Sequence, residues 1–124
     1  MRKMDRILDV RKLFDSVSEA WVLVDHTGRV LLTSRYVEKF RHIIDPPVAE
    51  GASIFDSIPE AWKKVAENVL ATLAYSDTPS TLEATYTDQG KKETHFEIRC
   101  TGIRDEEHIL QQVFIEARDV TPQK

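Results

Sequence analysis

The chain has 124 residues, 41% hydrophobic and 31% charged, with a formal net charge of −4 and a single cysteine. One domain of this length buries roughly two thirds of its unfolded surface, and the composition is that of a folded protein with no apolar run near the ~20 residues of a membrane span. Cys100 alone excludes an internal disulfide or a Cys-x-x-Cys site; the acidic balance argues against nucleic acid; and the basic start Met1-Arg-Lys-Met-Asp-Arg6 lacks the apolar core of a secretory signal, so a cytoplasmic location is expected.

From Met4 to Val17 the apolar Met4, Ile7, Leu8, Phe14 and Val17 recur at helical spacing among charges of both signs, which predicts an N-terminal amphipathic helix within residues 1–17. It either lies on its own domain or dimerises it; the pattern fits both. The stretch Trp21-Val-Leu-Val-Asp-His-Thr-Gly-Arg-Val-Leu-Leu-Thr-Ser34 reads as a hairpin, because Gly28 supplies a positive φ and Asp25 bonds its own backbone. Ser34 then reads as the N-cap of a helix carrying Tyr36, Val37, Phe40, Ile43 and Ile44. The breaker-rich Ile44-Asp-Pro-Pro-Val-Ala-Glu-Gly-Ala52 is expected to lie over whatever sheet and helices enclose.

The clearest helix follows: Trp62, Val65, Ala66, Val69, Leu70 and Leu73 form one continuous apolar face, opened by a capping-box pattern at Ser57-Ile-Pro-Glu60 and closed by Tyr75-Ser-Asp-Thr-Pro79. Such a stripe must lie flat on a sheet. Leu82-Glu-Ala-Thr-Tyr86 and His95-Phe-Glu-Ile-Arg-Cys100 supply alternating strands around a turn at Asp88-Gln-Gly90, with Phe96, Ile98 and Cys100 on one face. A connection at 102–107 leads to a last strand, Ile109 to Ala117, with Val113, Ile115 and Ala117 inward and Leu110 and Phe114 outward. The expected fold is α+β: a five-stranded antiparallel sheet covered on one face by helices, after an N-terminal amphipathic helix.

The opening strand, Asp-x-x-Gly turn, strand and immediate helix, the Asp88-Gln-Gly90 turn, Arg104-Asp-Glu-Glu107 before the last strand and the closing Arg118-Asp-Val-Thr121 together resemble a PAS domain, the sensory box of bacterial-type signalling proteins, over roughly Phe14 to Thr121. The resemblance implies a domain at 18–121, with 122–124 starting a linker. Ser34 stands where that family usually has Asn, which keeps the capping chemistry but not the amide. In such proteins the Asp and Thr of the closing motif, here Asp119 and Thr121, anchor the strand end and relay signal.

None of the usual catalytic constellations stands out: His26, His42, His95 and His108 show no i, i+4 pair and no cysteine neighbour, and no Gly-rich phosphate loop is present. Haem-binding relatives take an axial residue, often His, from the long helix, and residues 59–77 hold no His, Met or Cys; light-sensing flavin relatives carry Asn-Cys-Arg-Phe where this chain has Pro-Val-Ala-Glu-Gly. No cofactor is therefore expected, and Cys100 reads as a small core hydrophobe. What remains is a filled core or a ligand pocket lined by Leu23, Tyr36, Phe40, Trp62, Phe96, Ile98 and Val113. Trp62 and Phe96 are expected to touch across it.

The resulting expectation is a non-enzymatic sensory or interaction module that relays a small-molecule or partner-bound state to an effector, of histidine kinase or diguanylate cyclase (cyclic-di-GMP) type. No effector lies in these residues, so the chain reads as an excised piece of a longer parent. A homodimer through residues 4–17 and the outer sheet face is expected, with no nucleic-acid or membrane contact by this segment. The rivals are a purely structural dimerisation domain with a filled core and a small α+β cone enzyme of the ketosteroid-isomerase type, which needs a buried acid in an apolar pocket.

Overall fold

The computed structural model describes residues 20–34, 37, 40, 43, 44 and 46–120. Strands β1 (Ala20–Asp25), β2 (Val30–Thr33), β3 (Ser80–Thr87), β4 (Glu93–Arg104) and β5 (Leu110–Asp119) form one antiparallel sheet in the order β2-β1-β5-β4-β3. Between β2 and β3 come a 3₁₀ turn, Ile54–Asp56, and the helix α1 (Glu60–Leu73). The first and last strands are neighbours, with Ala20 opposite Ala117 and Val24 opposite Val113. The predicted N-terminal helix at 4–17, and much of the predicted helix after Ser34, lie outside the described residues.

The β1–β2 turn forms as its residues dictate. One oxygen of Asp25 accepts from the Thr27 amide at 2.9 Å, the Thr27 hydroxyl at 2.6 Å and the Arg29 amide at 3.0 Å. Partial burial pulls the Asp25 pKa up, but these hydrogen bonds outweigh it and hold the carboxyl below its ordinary value. Gly28 sits at φ +95°, and a Cβ there would stand 2.7 Å from Phe55, so the turn needs glycine both for its dihedral and for the aromatic ring laid against it.

The Ser34 hydroxyl accepts the Trp21 amide at 3.0 Å and ties the end of β2 to β1, while much of the helix it was expected to cap lies outside the described residues. Three local expectations are corrected. Ser57 is buried and does not cap α1: Pro59 holds the N-cap position, while Ser53 caps the 3₁₀ turn by accepting from the Phe55 amide. β4 runs through Gly102 to Arg104 instead of ending at Cys100, leaving a tight turn in which Asp105 accepts the Glu107 and Ile109 amides. Finally, β5 carries one extra residue: Ile103 pairs with Gln112, yet Arg104 pairs with Leu110. That bulge rotates Leu110 off the outer parity and onto the helix-covered face, where it packs with Leu73 and Val113.

The sheet is buried on both faces. Under α1 lies the main core, including Val22, Val24, Val30, Cys100 and Val113 from the sheet and Val69 and Leu73 from the helix. On the opposite face Trp21, Leu23, Leu32 and Phe114 form a second buried cluster, with the Trp21 and Phe114 rings 5.6 Å apart. Glu97 and Arg118, 3.3 Å apart, mark where the outer face turns polar.

Candidate functional site

The broad apolar stripe of α1 crosses the sheet without filling the space beneath it. A cavity of about 400 Å³ remains between helix and sheet, floored by Phe96, Ile98, Cys100 and Val113 and roofed by Trp62, Val65, Ala66 and Val69. Of the residues expected to line a pocket, Phe40, Trp62, Phe96, Ile98 and Val113 do so. Leu23 does not, since it belongs to the cluster on the opposite face, and Tyr36 lies outside the described residues. The reason for the Leu23 error is physical: every residue from Ala20 to Val24 is buried, so β1 has no polar parity to mark its inward side, which proves to be Val22 and Val24.

Three aromatic rings form one corner of the cavity. Phe96 meets Phe40 edge-on at 5.1 Å and Trp62 edge-on at 6.4 Å, as an inner-parity strand residue facing the apolar stripe of a helix should. The breaker-rich loop contributes Val48, in keeping with its expected position over the enclosure. Ile54, Phe55 and Ile58 also line the cavity and were missed. Their spacing ahead of Trp62 continues a helical pattern that Pro59 interrupts, and this was the available signal.

The electrostatics of the cavity are those of hydrocarbon. Burial pushes the Cys100 thiol up to about 11, so it stays protonated at neutral pH. Because the unfolded thiol ionises first as pH rises, its contribution to stability is lost between the ordinary thiol value and that raised one. Glu83 and Thr85 border the cavity from the exposed parity of β3. Among the described residues no group of three or more His, Cys, Asp and Glu is placed to hold a metal ion, and no helix is long and apolar enough to cross a membrane.

One largely buried cation, its side chain 15% exposed, ties the far end of α1 to the sheet. The Arg104 guanidinium donates to the carbonyls of Leu73 and Ser76 and, on its other arm, to that of His108 at 2.8 Å, while its Nε lies 2.7 Å from Asp77. The last turn of α1, the loop after it and the β4–β5 turn are thus held by one side chain, itself in strand β4.

Solved structures of similar fold are distant in sequence. The PAS domain of Bordetella pertussis BvgS superposes with a TM-score of 0.73 at 18% identity, covering 94% of this chain and 88% of that one. A sensory box sensor histidine kinase from Vibrio cholerae gives 0.64 at 17%, covering 95% and 94%. A Vibrio cholerae VqmA–ligand–DNA complex gives 0.68 at 13%, covering 92% of this chain but 51% of that one. No curated protein matches in sequence. A family model described as PAS fold matches residues 14–124, nearly the whole chain: this chain belongs to the PAS family.

Proposed function

We propose that this PAS domain is a non-catalytic sensor that takes a small molecule into the cavity under α1 and passes its bound state along β5 to an effector outside these residues. The cavity is the observation that carries this reading. Its walls are almost wholly apolar, so a molecule that displaces water from it gains by burying that surface. A purely structural module would gain by filling the space with its own side chains. The isomerase-like alternative lacks support among the described residues, because the carboxylate bordering the cavity, Glu83, is on an exposed parity.

The route outward is short. Phe96, in the cavity floor, pairs directly with Asp119 at the end of β5, and the Val120 amide donates to the His95 carbonyl at 2.8 Å. Thr121 lies outside the described residues. In the PAS resemblance Asp119 and Thr121 anchor the strand end, and losing one such hydrogen bond costs about 1 kcal/mol, against the ~1–3 kcal/mol typical of such coupling. Asp119→Ala and Thr121→Ala are both expected to unfold within a few degrees of the parent while effector output in the full-length protein changes; unchanged output in a folded, ligand-responsive parent would refute the relay.

Of the two effectors expected, a histidine kinase or a diguanylate cyclase, the kinase neighbour supports the first, and the VqmA neighbour adds a DNA-binding one; the net charge of −4 speaks only about this domain, not about an attached region. We place the domain in the cytoplasm and expect neither haem nor flavin in it, because residues 59–77 hold no His, Met or Cys and the Asn-Cys-Arg-Phe motif is absent. Protein purified from cells should absorb only in the aromatic band, and a Soret or flavin band would overturn this. We further propose a homodimer through residues 4–17 and the outer sheet face, where Trp21, Leu23 and Phe114 are already buried within one chain and the contact falls to the amphipathic segment. Sedimentation of the chain with and without residues 1–17 tests it: loss of dimer on truncation is expected, and a monomer in both forms refutes it.

A further inference from the structure

We infer that the cavity selects an uncharged, largely apolar ring-bearing molecule and admits it between α1 and the edge strand β3; this rests on reading the cavity as a ligand site. The first support is what the walls lack. An ionised carboxylate, phosphate or ammonium taken into this space would need a partner, since burying an unpaired charge is prohibitive. Among the described residues no Lys, Arg or His lines the cavity: Arg104 holds the end of α1, Arg118 lies against Glu97, Lys63 against Glu60, Arg29 donates to the Gly51 carbonyl, and Lys64 and Arg99 are exposed. Glu83 and Thr85 belong to an exposed parity, and the buried Cys100 thiol is neutral. The aromatic corner of Phe40, Trp62 and Phe96 favours edge-to-face contact with a further ring.

The second support locates the mouth. Leu82, Glu83, Ala84 and Thr85 all border the cavity, although they alternate between the two faces of β3. β3 is the edge of the sheet, so the space that borders this run meets solvent past the strand's free side. From the helix, Val65 borders the same space while 47% exposed. The opening is therefore the gap between Val65 and Ala66 on one side and Ala84 on the other.

A matched pair of fluorescent probes tests both parts. N-phenyl-1-naphthylamine is neutral; 8-anilinonaphthalene-1-sulfonate has the same rings plus a sulfonate. Saturable binding of the neutral probe is expected, with the sulfonate at least ~10-fold weaker. Ala66→Phe and Ala84→Leu, each checked by thermal unfolding, should weaken the neutral probe at least ~10-fold while remaining folded, because each narrows the gap from a different side. Equal or tighter sulfonate binding, competed by the neutral probe, would overturn the inferred ligand class but leave the site standing. Binding of the neutral probe unaffected by either folded variant would place it elsewhere and overturn the route. No binding of either probe would overturn the ligand-site reading itself.

Discussion

Replacing Arg104 by methionine is expected to lower the stability of the domain by about 3 kcal/mol, a fall in midpoint of roughly 10 °C for a domain of this size. The side chain is 15% exposed, and its donors go to three carbonyls on separate segments. Leu73 is the last residue of α1, so its carbonyl belongs to the group a helix end leaves without intrahelical partners, and Ser76 lies in the loop three residues beyond. Methionine keeps the length and apolar stem but strands those carbonyls under partial burial, and it removes a positive charge from the negative end of the helix. Lysine should recover little, since an ammonium cannot reach three acceptors as the planar fork does. Asp77, 84% exposed, is the contrasting partner: Asp77→Ala should cost under ~1 kcal/mol. Chemical denaturation of the three variants decides the matter, and equal small losses for Arg104→Met and Asp77→Ala would show that the guanidinium acts only as a surface ion.

The second large effect is expected on the other face of the sheet. Trp21 is 2% exposed and its ring lies against Phe114, so Trp21→Ala should cost about 3–5 kcal/mol, as for other buried tryptophans. Trp62 is also a tryptophan on an apolar face, but it is half-buried and borders the cavity. Trp62→Ala should therefore cost distinctly less stability while weakening the neutral probe. Urea unfolding with an unchanged m-value separates the two; a Trp21→Ala loss below ~1 kcal/mol would mean that the outer cluster is open to water in solution.

Alternation and periodicity made much of the architecture legible in the sequence. The stripe from Trp62 to Leu73 gave the crossing helix, and the turns at Gly28 and Gly90 separated strands whose inner residues Phe96, Ile98 and Val113 were placed on the correct side. Elsewhere the pattern carried no information. β1 is apolar on both faces because both are covered, so its parity was undetermined and Leu23 was assigned inward. Gly102 read as a strand breaker, yet it lies inside β4 because Leu110 crowds the position a side chain would take: a Cβ there would stand 2.9 Å from the Leu110 side chain. The β5 bulge that brings Leu110 inward changes register by one residue, which no run of alternating residues announces. The Arg104 contacts were equally hidden, since they join positions about thirty residues apart through carbonyls that every residue possesses.

The pairing of Ala20 with Ala117 sets a mechanical rule for any longer protein that hosts this domain. The chain enters the sheet beside the place where it leaves, about 5 Å away, so the host's two flanking segments start as neighbours with the domain as a guest on a narrow stem. Sliding one strand of that stem past the other while keeping every side chain on its own face requires a step of two residues, about 7 Å, and would break both clusters at once. Displacements smaller than that travel as tilt or twist of an intact stem. In a host coupled to this stem, the lean of one flank against the other would be graded and reversible, with a fixed ceiling above which the guest must come apart.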